Sequence, residues 1–277
     1  MKNKQHISEL SLRLLSAAAV IPIVLLLTVL GGIWFQLLVL GLAALLAIEL
    51  VDNVVEERVG VFRVLTVCLF LGNGTLAIFG GLEAALVVGV AGAIILTGLS
   101  GLKNAKAVIF SVGILLGNSA VAGFVALRSD MEFGLIAILW LFGVVWSADT
   151  MAYFSGRLIG GPKLAPKISP NKTWAGFLGG IAGAAFAGFV LTRLVDVGSD
   201  LALIGLSVGA AIVAQGGDLQ ESWAKRQLGV KDSGRLLPGH GGIWDRVDAL
   251  IVVVIFAAVI GIIRGKNQSI AYNLLFW

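Results

Sequence analysis

Hydrophobic residues in this chain come in long blocks, with the polar residues gathered between them. Nine apolar stretches stand out, at about 13–32, 34–50, 61–80, 82–100, 106–127, 133–156, 174–193, 200–220 and 247–264. Each approaches the roughly 20 residues that a helix needs to cross a bilayer. A segment in lipid must satisfy its backbone hydrogen bonds internally, so the pattern predicts helices throughout. Only Gly31 and Gly32 separate the first two stretches. The expected fold is all-α: a polytopic integral membrane bundle of about nine transmembrane helices, forming one domain over residues 1–277. Clusters of small residues such as Gly179-Gly180-Ile181-Ala182-Gly183-Ala184-Ala185 fit close helix packing inside lipid.

Composition sharpens this picture. Hydrophobic residues make up 58% of the chain and charged residues 13%, against about 25% charged in soluble domains. In 277 residues, that many crossings leave no room for a large soluble domain. Cys68 is the single cysteine, which excludes an internal disulfide and a cysteine-based metal site. The basic start, Met1–Arg13, precedes a long apolar run that leads into more apolar sequence, so it reads as a retained first helix and not a cleaved signal. With the N-terminus in the cytoplasm and nine crossings, all of the 20 Lys and Arg except Arg128, Arg193, Arg264 and Lys266 fall on the cytoplasmic side. That asymmetry favours this orientation. It also puts both long polar segments, 157–173 and 218–248, where nucleotides are found.

The second of these segments carries candidate chemistry. It holds Asp218, Glu221, Asp232, Asp245 and Asp248 between apolar runs. Ionisable groups at membrane depth are costly and point to function. If the helix continues past Asp218, then Asp218, Ser222, Lys225 and Arg226 share one face. An acid, a hydroxyl and two cations on one stripe suit a metal-bound phosphate. The alternative is a surface ladder of ion pairs, since Glu221 and Lys225 are also four residues apart. Residues 231–242 contain Gly234, Pro238, Gly239, Gly241 and Gly242 and must form a loop. Its glycines let backbone N–H groups approach an anion, and Lys231 and Arg235 are suited to phosphate oxygens. His240 reads as a phosphate hydrogen-bond donor, a proton-transfer group or a brace of the loop. Asp245 and Asp248 open the last apolar stretch, where the helix dipole favours acids. The sharper reading pairs Asp218 with Asp245 as carboxylate ligands of Mg²⁺, which takes hard oxygen donors.

A second cluster lies on the same side. Asp149, Tyr153 and Arg157 form one helical stripe leading out of an apolar run. The loop that follows, with Lys163, Lys167, Ser169, Lys172 and Thr173 and two prolines, reads as a rigid, anion-receptive loop. The helices at about 13–127 therefore read as scaffold, and 133–264 as the catalytic half.

These residues resemble the phosphatidate cytidylyltransferase (CDP-diacylglycerol synthase) family. The family's C-terminal motif is matched by Ser222, Lys225, Arg226, Lys231, Asp232, Gly234, Leu237, Pro238, His240, Gly241, Gly242, Asp245, Arg246 and Asp248. The segment from Ala152 and Tyr153 to Thr173 resembles its second block. Ala224 stands where a larger apolar residue is usual. Ala175 stands where the family often has Glu or Gln, so no role is carried to that position.

The resemblance implies the reaction of CTP with phosphatidate to give CDP-diacylglycerol and pyrophosphate. It implies Mg²⁺, with room for a second metal site holding a monovalent or another divalent cation. Asp218 and Asp245 would hold metal. Lys225, Arg226 and His240 would serve catalysis. Ser222, Lys231, Asp232, Arg246, Asp248, Lys167, Ser169, Lys172 and Asp149 would bind substrate. The expected location is the cytoplasmic membrane of a prokaryote, with no nucleic-acid partner and with glycine-rich faces that permit a homodimer. The nearest alternative is a CTP-dependent polyprenol kinase, which would transfer the γ-phosphate. A different class is a transporter or ion channel with Asp149 and Asp218 as ion sites.

Overall fold

The computed structural model describes residues 18, 20–196, 199–234, 241–265 and 268–277. Its helices follow the apolar blocks: α1 (Val20–Leu30), then α2 (Gly32–Val54), α3 (Val59–Phe79), α4 (Leu82–Ser100), α5 (Asn104–Arg128), α6 (Gly134–Leu158), α7 (Trp174–Leu194), α8 (Asp200–Leu228), α9 (Trp244–Arg264) and the short α10 (Ile270–Leu275). Among the described residues, eight helices, α2 to α9, are long and apolar enough to cross a membrane. The chain is an all-α polytopic membrane protein. Gly31 and Gly32 do divide the first two stretches: both have positive φ, 63° and 49°, where a side chain would be strained.

One element departs from the all-helical expectation. The anion-receptive loop contains a small antiparallel hairpin, β1 (Lys163–Ala165) with β2 (Ser169–Thr173). Gly160 and Gly161 turn the chain into it with φ of 67° and 91°. Thr173 ends β2 and also caps α7, its Oγ1 accepting the Gly176 N–H at 3.1 Å. Proline and threonine content hid a strand in what reads as a loop.

The chain divides into two compact units. The first comprises residues 1–121 and 227–247. Within it α2 buries a stripe of Phe35, Val39, Ala43, Leu46, Leu50 and Val54, spaced to recur on one helix face. Glycines let large neighbours fit: a Cβ on Gly117 would overlap the Phe70 ring, and one on Gly113 would overlap Leu50.

The second unit comprises residues 122–226 and 248–277. Its α6 and α7 pack through glycine. A Cβ on Gly176 would sit 3.0 Å from the Ala152 carbonyl, on Gly180 3.1 Å from that of Ala148, and on Gly183 2.6 Å from that of Ser147. The small-residue cluster of α7 is therefore used against α6 of the same chain. Trp140 Nε1 donates to Ser207 Oγ at 2.9 Å, tying α6 to α8.

Candidate active site

Gly217 sets the approach of α8 to α9. A Cβ there would lie 3.2 Å from the Asp248 carbonyl oxygen and against Val252. The next residue of α8 is Asp218, and α8 runs on to Leu228, so Ser222, Lys225 and Arg226 do continue its stripe. Asp218 and Glu221 from α8 meet Asp248 from α9. One carboxylate oxygen of each lies within 4.8 Å of the other two.

Glu221 is 6% exposed, and like charges this close repel strongly where water is scarce. Two lysines offset part of that repulsion. Lys172, on β2, pairs with Asp218, and Lys225 Nζ lies 2.9 Å from Glu221 Oε2. Asp149, on α6, acts electrostatically on Asp218 and Asp248. Three acids from α8 and α9 thus meet beside two lysines, with Asp149 of α6 close enough to act on them. Carboxylate oxygens are the hard donors that Mg²⁺ takes, usually one or two with substrate phosphates completing the shell, and three within reach of one another offer that choice to a divalent cation. The donor set fits the ion.

The hairpin reaches this group through two contacts. Besides Lys172, its turn accepts Arg226 Nε at the Ile168 carbonyl, 3.4 Å away. Lys167 is exposed in the turn and Ser169 half-buried at the start of β2. Arg157 stays on its own stripe, donating to the Tyr153 hydroxyl at 2.6 Å. The structure therefore brings together Asp149, Lys172, Asp218, Lys225 and Asp248, with Arg226 alongside.

Asp245 has a different setting, inside the first unit. Its carboxylate accepts Ser233 N–H at 3.0 Å and Gly242 N–H at 3.0 Å. Ser233 Oγ accepts the Asp245 N–H at 3.3 Å in return. The glycine at 241 has φ of 82°, and a Cβ on it would lie 2.7 Å from Asp245 Oδ2. The anion around which these glycines close is thus the protein's own carboxylate. Lys231 and Asp232 are exposed in the same unit, and Arg246 is exposed on the first turn of α9. Arg235 and His240 lie outside the described residues.

Sequence reasoning passed over two acids. Glu221 was read only as a helix ion pair, although its spacing from Asp218 puts the two a turn apart. Glu49 interrupts the second apolar stretch just as Asp149 interrupts the sixth, and the same criterion, an acid at membrane depth, would have found it.

The chain matches the sequence profile described as the cytidylyltransferase family over residues 11–263. A phosphatidate cytidylyltransferase of Brucella abortus biovar 1 (strain 9-941) is 38% identical over 272 residues, covering 95% of this chain and 97% of that protein. A phosphatidate cytidylyltransferase of Haemophilus influenzae is 44% identical over 146 residues, 49% of this chain and 51% of that protein. One from Staphylococcus haemolyticus is 50% identical over 132 residues, 47% and 50% of the two chains.

Proposed function

The chain belongs to the cytidylyltransferase family, and from that premise we propose that it transfers a cytidylyl group from CTP to phosphatidate, forming CDP-diacylglycerol and pyrophosphate. A phosphate oxygen of the lipid attacks the α-phosphorus of CTP. A P–O–P bond forms, and the bond from the α-phosphorus to the β-phosphate oxygen breaks. The attacking oxygen is already anionic, so no strong base is needed. The protein's task is positioning and the cancelling of charge.

Asp218, Glu221 and Asp248 would hold Mg²⁺, and Asp245, whose carboxylate accepts the Ser233 and Gly242 N–H groups, would brace the start of α9 in place of the ligand role that its sequence position suggests. Bound there, Mg²⁺ would neutralise phosphate charge. Lys225, Arg226, Lys231 and Arg246 face the task of balancing the triphosphate and the departing pyrophosphate. Lys172, Lys167 and Ser169 on the hairpin would hold a phosphate of either substrate. Ser222, Asp232 and Asp149 would order the bound groups, and His240 would donate to a phosphate or carry a proton. The site would face the cytoplasm from the cytoplasmic membrane, the side that supplies CTP. A homodimer stays part of the reading only as an assembly that glycine-rich faces permit.

The observation that carries the proposal is the meeting of three carboxylates from α8 and α9 beside Lys172. The purified chain in detergent, given phosphatidate, Mg²⁺ and CTP labelled at the α-phosphate, is expected to form a labelled CDP-lipid. Lipid labelled only from the γ-phosphate points instead to the kinase, and no labelled lipid at all sinks the transfer.

A further inference from the structure

Glu49 is a carboxylate in the apolar run of α2, 3% exposed, with its oxygens fully engaged by a distant part of the chain. Oε2 accepts Ile243 N–H at 2.7 Å, and Oε1 accepts Trp244 N–H at 3.2 Å. Oε1 also accepts the Ser233 hydroxyl. One turn on, Asn53 Nδ2 donates to the Ser233 carbonyl. The first amides of a helix have no partner within it and carry partial positive charge. Glu49 therefore acts as a cap for α9, supplied by another helix. Bonds from N–H groups to a carboxylate are about twice as strong as neutral ones.

Two glycines of the polar segment make room for it. A Cβ on Gly234 would lie 3.0 Å from Glu49 Cδ, and one on Gly242 would overlap Glu49 Oε1 and Ser233 Oγ. From Ser233 the network passes to Asp245. Asp245 and Asp248 occupy the first turns of the helix whose start Glu49 holds.

We propose that Glu49 is a positioning residue for catalysis: it fastens Ser233 and the start of α9, and so sets the placement of Asp245 and Asp248. This rests on the transferase reading above. The test uses the full chain in detergent and the variants Glu49→Gln and Glu49→Ala. Two readouts are taken per folded molecule: kcat and KM for CTP, and hydrogen exchange at the amides of 243 and 244. Glu49→Gln keeps the volume and one acceptor oxygen. We expect exchange in this variant to quicken by about tenfold at the one of these amides that loses its acceptor, the equivalent of one lost hydrogen bond. Its kcat should fall by about the same factor, with KM for CTP nearly unchanged. Glu49→Ala should lose about a hundredfold in kcat, two bonds' worth. If the alanine variant does not fold, the glutamine variant decides. A residue that only held the fold would lower the yield of folded protein and leave kcat per folded molecule alone, and that result overturns the proposal. Faster exchange with wild-type kcat overturns it as well. A wild-type chain that makes no CDP-lipid sinks the transferase reading instead, while the exchange data still report on the cap.

Discussion

The two carboxylate centres of this protein are built on opposite terms. Around Glu49 and Asp245, oxygens meet backbone N–H groups and a hydroxyl: Ile243, Trp244, Gly242 and Ser233 all donate. Around Asp218, Glu221 and Asp248, carboxylates meet one another, and lysines supply the partial balance. Protein donors satisfy the first arrangement. The second leaves a concentration of negative charge that is costly at low dielectric unless a cation joins it. The number of acids is therefore a poor guide to a metal site. What each acid's neighbours donate is a better one.

If that distinction holds, neutralising the second centre should cost the most activity. Asp218→Asn removes a charge from the ion-binding set and the partner of Lys172. We expect CDP-lipid formation to fall on the order of 10³-fold while the protein still inserts and purifies normally. Wild-type turnover in this variant would remove Asp218 from the metal set. Chelating Mg²⁺ should silence the wild-type enzyme to a similar degree and reversibly, without altering amide exchange at 243 and 244.

The first centre should fail through packing. Gly242→Ala drives a methyl group into the Glu49 carboxylate and Ser233, an overpacking cost of about 3 kcal/mol. Thermal unfolding in detergent reads it. Because the obstacle is Glu49 itself, Glu49→Ala should relieve part of the cost. The double variant should then be more stable than the sum of the single effects predicts. Strict additivity would mean that the two residues do not share this contact.

Lys172→Ala tests the partial balance at the second centre with a smaller expected effect. The Asp218 side chain is 38% exposed, so water reaching its carboxylate softens the loss. We expect KM for a phosphate-bearing substrate to rise about tenfold with kcat less affected. A KM that does not move would place Lys172 in the hairpin's structure alone.

Most of the fold was legible because lipid imposes a simple rule: long apolar blocks become helices. The breaks at Gly31 and Gly32 and at the 157–173 segment could be read from polar and glycine punctuation. The hairpin could not, since five residues with a proline among them carry no strong strand period. At the site, the continuation of α8 and the gathering of Asp149, Lys172 and Asp218 followed from helical spacing and shared side of the membrane. The place of Asp248 in the cluster depends on the approach of α8 to α9 at Gly217, which is a matter of packing and not of spacing. Likewise, the loop glycines announced an anion without saying whether it belonged to a substrate or to the protein. Gly234, Gly241 and Gly242 lie against Glu49 and Asp245, and a partner almost two hundred residues away leaves no mark in local sequence.

Asp130 extends the comparison to an acid of the first type within the second unit. It lies between α5 and α6, where Oδ1 accepts the N–H groups of Glu132 at 2.8 Å and Phe133 at 2.6 Å, and Oδ2 accepts the Ser269 hydroxyl. Burial pushes the carboxyl up, but hydrogen bonds from Phe133, Ser269, Glu132 and Gly134 outweigh it and hold the group below its ordinary 3.8. In the unfolded chain Asp130 takes up its proton at higher pH than in the folded one. Its contribution to stability is thus fully present above the ordinary carboxylate value and is lost as pH falls through the lower, folded one. Wild type should unfold at a higher temperature than Asp130→Asn, by a margin that is constant from neutrality to about pH 5 and shrinks by about pH 3. Mg²⁺ should leave that margin unchanged, because donors of the protein already fill the carboxylate. A margin that grows with Mg²⁺ would show Asp130 responding to a cation, and satisfaction by N–H and O–H donors would then no longer separate braces from ligands.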